Sequence, residues 1–370
     1  MHYFDDLKTI VEINSYTKNK QGVDNVTTQM QLWLEELGFN TKLFKKENIG
    51  NHALFTTKRK DGTKILLLGH NDTVFPPNSF EGFKEDKAWV YGPGVCDMKG
   101  GNIVALQALR NLYKQNNEIF NIDFFLVSDE ETGSDDSKFI SKEIAKNYDI
   151  CFDFEAAGKN LEVVTARKGV GTFTITCKGK ASHAGTSYEN GIDANLEASY
   201  KLQKINALTN LKIGTTVNVG KIEGGIGANT ISPSATLLLE IRFKTDDEKN
   251  RVLEQLKKIT NTSYIKGTKS KLEGLIQREV MQENEKQLEL IKELEKICSE
   301  KIFTEHRGGV SDANIFSSCN VTTLDGLGPY GLYDHTINEK ALKSSFDKRI
   351  DLMTKILLHY QNMEKKNGKA

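Results

Sequence analysis

Apolar residues along this chain follow two rhythms. In the first part, short unbroken apolar runs alternate with helical patterns. Lys64-Ile65-Leu66-Leu67-Leu68-Gly69 and Asn121-Ile122-Asp123-Phe124-Phe125-Leu126-Val127 read as strands covered on both faces, and Ile150 to Phe154 as a shorter one. Gln29 to Leu37 reads as an amphipathic helix ended by Gly38. Asn102 to Lys114 reads as another, with Ile103, Leu106, Leu109 and Tyr113 on one side. Buried strands alternating with helices predict an α/β fold: a mostly parallel sheet with helices on both faces.

Near Lys168 the rhythm changes. Thr172 to Cys177 alternates apolar and polar, as a half-exposed strand does. A helix is predicted from about Asp193 to Ala207, then alternating strands over Thr216 to Lys221 and Thr236 to Phe243. A capped helix over Asp246 to Thr260 and a strand near Lys271 to Ile276 complete the set. The order β-α-β-β-α-β is ferredoxin-like. It fits a domain inserted at 168–277 into a first domain made of 1–167 and 278–370. Helical spacing returns over Gln287 to Ser299 and again through Leu342, Phe346, Ile350, Met353 and Leu357.

Composition narrows the function classes. Fifty basic and fifty acidic residues give a formal net charge of zero, so no nucleic acid and no anionic membrane is expected as partner. No apolar run approaches the roughly 20 residues of a membrane span. The start, Met1-His2-Tyr3-Phe4-Asp5-Asp6, does not read as a signal peptide. Five cysteines at 96, 151, 177, 298 and 319 have no disulfide rhythm, which points to the cytoplasm.

The polar residues that stand out fall at the C-terminal ends of predicted strands, where ligands collect in open α/β sheets. Gly69-His70-Asn71-Asp72-Thr73 follows the first, Ser128-Asp129-Glu130-Glu131-Thr132-Gly133 the second, and Glu155 ends the third. Gly92-Pro93-Gly94-Val95-Cys96-Asp97 leads into a helix, and Tyr333-Asp334-His335-Thr336 precedes the last one. Imidazoles with carboxylates suit zinc, and cobalt or manganese nearly as well. Singly, each motif also has an ordinary structural reading: a core histidine, a solvated acidic loop, a packed Cys96. The glycine-rich stretch lacks the spacing of a nucleotide loop.

Taken together the motifs resemble the co-catalytic zinc aminoacylase and carboxypeptidase family, which includes glutamate carboxypeptidase, acetylornithine deacetylase and succinyl-diaminopimelate desuccinylase. The likeness runs through GHNDTVFP, YGPGVCDMKGG, SDEETGS, FE, GKASHAG, GGIGANTISP, GGVSDAN and DGLGPYGLYDHT in order, and its last segments are closest to the carboxypeptidase G branch. The resemblance implies two zinc ions per subunit. Asp97 would bridge them, His70 and Glu155 would complete one site, and Glu131 and His335 the other. It further implies Asp72 as the carboxylate orienting His70, Glu130 as general acid and base, and a cis peptide between Asp97 and Met98. His183 would donate to the oxyanion from the partner subunit of a homodimer, the inserted domain serving as dimerisation domain and lid. Asn229 and Arg242 would bind the substrate carboxylate. Arg242 alternates with the apolar Leu237, Leu239, Ile241 and Phe243, so it should point away from their face. The implied activity is hydrolysis of an amide bond in a small peptide or N-acyl amino acid. A glutamate-type carboxypeptidase comes first; an N-acetyl or N-succinyl deacylase, or a di- or tripeptidase, is the alternative, and a non-catalytic scaffold conflicts with the full ligand set.

Overall fold

The computed structural model describes residues 2–367, with side chains as far as residue 362. The chain forms two compact units. Met1–Ala166, Glu283–Arg307 and Ser311–Ala370 make up the first; Arg167–Gln282 and Gly308–Val310 make up the second.

In the first unit a six-stranded sheet runs in the order Asn40–Phe44, His52–Thr56, Ile122–Val127, Ile65–His70, Ile150–Asp153, Thr322–Leu324. The last four strands are parallel, and the first two join antiparallel. Every residue of Ile65–His70 and Ile122–Val127 is buried. Alternate side chains explain why. Ile65 and Leu67 enter a core with Leu7, Ile10, Leu106 and Met353, whereas Leu66 and Leu68 enter a second cluster with Ile140, Ile144 and Phe316. Helices therefore cover both faces, and the central strands are apolar without alternation.

The helix expected over Gln29 to Leu37 is longer, Lys20–Glu35. Its first turn is polar and contains Gly22, so the apolar spacing does not mark it; Asn19 caps it by accepting from the Gly22 N–H. A small antiparallel sheet in the order Gly331–Leu332, Lys340–Leu342, Trp89–Tyr91, Lys84–Glu85 has no counterpart in the sequence expectation. Its strands are two or three residues long, too short to show a period. It brings the segment that precedes Asp97 against the segment that flanks His335.

The second unit has the β-α-β-β-α-β order. Its sheet runs Thr216–Gly224, Ser234–Phe243, Gly169–Lys178, Lys269–Arg278, with all neighbours antiparallel. Leu237, Leu239, Ile241 and Phe243 pack with Ala198 and Ile205 of helix Ala194–Asn206 and with Val252 and Leu256 of helix Asp246–Asn261. Asp193 and Thr245 cap these helices. Between them lies a fully buried ion pair, Lys201 Nζ to Glu197 Oε1 at 3.0 Å. Lys201 also donates to the carbonyls of Ile259, Thr260 and Thr262, at the end of the second helix, and Glu197 accepts from the N–H groups of Tyr264 and Ile265. No helix among the described residues is long and apolar enough to cross a membrane.

Candidate metal centre

The parallel strands deliver their terminal residues to one rim. His70 ends strand Ile65–His70, Glu130 and Glu131 form the turn after Ile122–Val127, and Glu155 lies just past Ile150–Asp153. Asp97 comes from the loop before helix Lys99–Asn116, and its peptide bond to Met98 is cis. His335 sits in the loop between two strands of the small sheet, with a left-handed φ of 61°.

The polar atoms converge. His70 Nε2 is 3.1 Å from Asp97 Oδ1 and 3.7 Å from Glu155 Oε1. His335 Nε2 is 3.1 Å from Asp97 Oδ2 and 3.0 Å from Glu131 Oε2. Each carboxylate oxygen of Asp97 thus faces a different imidazole. Donor atoms of His70, Glu130 and Glu155 lie within 4.8 Å of one another, as do those of His70, Asp97 and Glu131. The two imidazoles differ in setting: the His70 side chain is 1% exposed and that of His335 57%.

The electrostatics test whether these residues suit metal ions. Burial pushes Glu130 well above the usual carboxylate range, and burial with the Asp97 charge lifts Glu131 to about 7. Burial works to raise Asp97, but hydrogen bonds from His335 and His70 outweigh it and hold Asp97 low. Burial works to lower His70, but bonds to Asp72 and Asp97 outweigh it and raise the imidazole well above its ordinary value. Bonds to Asp97 and Glu131 lift His335 to about 11. These are groups that demand positive charge among them, and their donor types are those of divalent ions of borderline softness. The set fits a pair of such ions.

Supporting contacts fix the donors. His70 Nδ1 is 3.0 Å from the backbone carbonyl of Asp72 and 3.4 Å from its carboxylate, which leaves Nε2 turned toward Asp97 and Glu155. The Asp72 carboxylate accepts from the N–H groups of Glu130 at 3.3 Å and Glu131 at 3.2 Å, and from Thr17 Oγ1 at 2.7 Å. It therefore holds the turn that carries both glutamates as well as facing His70. Asn102 Nδ2 donates to the His70 carbonyl. Buried Glu339 accepts from the N–H groups of Gly94, Cys96 and Asp97; burial and the Asp97 charge push it up to about 8. Buried Lys99 donates to the carbonyls of Ile10 and Ile13. The sequence reading does not pick out Thr17, Asn102, Glu339 or Lys99, because a single polar residue bonded to a partner distant in sequence leaves no motif. Glu339 also occupies the amides that a phosphate would need in the glycine-rich stretch. Cys96 is buried and its thiol is pushed up by that burial, so it is a packed residue.

In the second unit, His183 and Asn229 come together. Their segments bridge at His183 and Thr230, and the Ala184 N–H donates to the Asn229 carbonyl at 2.9 Å. His183 Nδ1 accepts from the N–H groups of Gly185 at 3.1 Å and Thr186 at 3.2 Å, so the neutral ring carries its proton on Nε2. Arg242 lies apart from this pair. It points away from the apolar side chains of its strand, toward the face opposite the helices. Its guanidinium donates to Glu240 at 2.7 and 3.4 Å and to the Gly308 carbonyl at 3.1 Å. His183 and Asn229 belong to the loops at the Ser234 end of strand Ser234–Phe243, and Arg242 is near its other end. Arg242 is eight residue steps along the strand from Ser234, roughly 26 Å.

Known proteins place this arrangement. A family model described as the peptidase dimerisation domain matches residues 165–268, and one described as peptidase family M28 matches residues 53–205. The chain is 30% identical over 265 residues to carboxypeptidase G2 of a Pseudomonas species, a match covering 68% of this chain and 62% of that protein's length. It is 25% identical over 367 residues to an uncharacterized protein of Bacillus subtilis, covering 94% and 95% of the two chains. In fold it matches the crystal structure of an aminopeptidase, PepT, from Bacillus cereus with a TM-score of 0.80 at 20% identity, covering 97% of this chain and 98% of that one. The chain thus resembles peptidases that carry a dimerisation domain.

Proposed function

We propose that this chain is a two-metal carboxypeptidase that removes a C-terminal residue bearing a free carboxylate, with glutamate-type residues preferred and a homodimer as the working form. One observation carries the reading: the two oxygens of Asp97 each face a separate imidazole, with Glu130 and Glu131 beside them. His70, Asp97 and Glu155 would hold one ion and Asp97, Glu131 and His335 the other. Zinc is the expected metal, with cobalt or manganese able to substitute. When bound, the pair supplies Lewis acidity toward the substrate carbonyl and lowers the pKa of water toward neutrality.

The chain's own residues do the rest. The Glu130 carboxylate takes a proton from the attacking water and passes it to the amide nitrogen as the C–N bond breaks, so the products are a free carboxylate and an amine. His183 Nε2–H is fixed as a donor and would serve the oxyanion. Arg242 has three of its five N–H groups engaged with Glu240 and Gly308, and the remaining two would meet the substrate carboxylate. His183 and Arg242 of one copy belong to opposite ends of their sheet. That separation supports His183 acting in the partner subunit's site. The carboxypeptidase label draws on Arg242 and on the likeness to carboxypeptidase G2.

The test is elemental analysis joined to one substitution. The purified protein should contain two divalent ions per chain. Glu130→Gln should keep both and lose on the order of 10²–10⁴-fold in kcat on an acyl-glutamate. Metal-free active enzyme, or near-normal turnover by the variant, defeats the reading.

A further inference from the structure

The loop that carries Asp97 is held by a side chain from a distant part of the sequence. Of the four consecutive amides from Gly94 to Asp97, Val95 N–H bonds to Gly92 within the loop. The other three turn to Glu339. Its Oε2 accepts from Gly94 at 3.0 Å, and its Oε1 accepts from Cys96 at 2.9 Å and from Asp97 at 3.1 Å. Glu339 is 1% exposed. It follows His335 by four residues and directly precedes strand Lys340–Leu342, which pairs with Trp89–Tyr91 just upstream of the Asp97 loop. The Glu339 N–H also closes the His335 loop, by donating to the Thr336 carbonyl at 3.1 Å.

We propose that Glu339 is a positioning residue for the metal pair: one buried carboxylate sets the Asp97 loop and the His335 loop as a single body. The proposal rests on the two-metal reading above. Its consequence is unequal. His70 is anchored independently, through Asp72 and Asn102. His335 sits on an exposed loop, and its alignment with Asp97 depends on the seam that Glu339 closes. Loosening that seam should weaken the His335 and Glu131 site more than the His70 and Glu155 site. Charge-assisted bonds from N–H groups to a carboxylate are among the stronger ones. A glutamine in its place offers a single acceptor oxygen, so either Gly94 or the Cys96 and Asp97 pair loses its partner.

Cobalt(II) titration of metal-free full-length protein, followed by visible absorption and calorimetry, reads this directly. Wild type should bind two cobalt ions per chain. Glu339→Gln should keep the first ion within a few-fold and bind the second about 10–100-fold more weakly. Amide exchange over residues 92–99 should speed up, while the thermal midpoint of the metal-free protein stays near that of wild type. Glu339→Ala should exaggerate the split; if it does not fold, the isosteric glutamine variant decides alone. A folded glutamine variant that binds both ions with wild-type affinity overturns the proposal, as does an equal loss at both sites. Wild type that binds no cobalt defeats the two-metal reading instead, and the two failures are told apart by that first titration.

Discussion

Both units bury charge, and they balance it differently. In the second unit Lys201 and Glu197 pair within one helical turn, and their remaining capacity goes to backbone carbonyls and N–H groups at the end of a neighbouring helix. Positive and negative charge cancel, and the pair works as a clamp. In the first unit four carboxyl groups, Asp97, Glu130, Glu131 and Glu155, surround two imidazoles, so acidic groups are in excess. Burying unbalanced charge is costly. Such an excess, wired from behind by Asp72, Thr17 and Glu339, is what the proposed two-metal reading requires. The lesson is that the sign balance of a buried cluster, more than its burial, separates a site from a strut.

Three substitutions would break or sharpen that contrast. The largest effect is expected where balance is destroyed. Lys201→Met leaves Glu197 buried without its cation and should destabilise the second unit by about 3–5 kcal/mol. A double change with Glu197→Gln should recover part of the loss, read by calorimetry; a single variant that melts like wild type would show the pair to be idle. The next effect concerns His183, which lies exposed in the second unit. His183→Ala should keep its metals and lose on the order of 10²–10³-fold in kcat. Mixed with Glu130→Gln, it should recover activity in verified heterodimers, because one of the two mixed sites then holds both native residues. Heterodimers as inactive as either parent would place His183 in its own subunit's site or outside catalysis. The smallest effect belongs to Arg242, whose guanidinium is partly in water. Arg242→Ala should cost about 2 kcal/mol in kcat/KM on a free acid, the low end for a charge pair, and little on the matching amide. Equal losses on both would remove the carboxylate role.

Much of the site was legible because its donors sit at the ends of strands that announce themselves. The run Ile65 to Leu68 is apolar on consecutive positions, so the strand and the His70 that ends it can be read together. The double glutamate after Val127 is read the same way. The supports are another matter. Thr17 bonds to the Asp72 carboxylate, and Lys99 and Glu339 to backbone atoms, all brought near by folding, and nothing local marks them. The same holds for fold elements whose periodicity is hidden. His52–Thr56 is buried along nearly its whole length but carries a histidine and a threonine, and Asn40–Phe44 is largely exposed, so that hairpin escapes a search for alternation. The insert was the easier half to read. Its strands alternate because one face packs on helices and the other does not.

Cys96 gives the Asp97 loop a built-in clock. Its sulfur lies against Gly331, where a single added carbon would come within 2.1 Å, and the residue is 1% exposed. A covered thiol kept in its protonated form does not meet alkylating reagents or peroxide while the cover stays in place. Modification must wait for the segment carrying Asp97 to lift from the strand that begins at Gly331. The slow labelling of that one sulfur in native protein would therefore count local openings. Its reporter is a native side chain, at the peptide adjoining the carboxylate that faces both histidines.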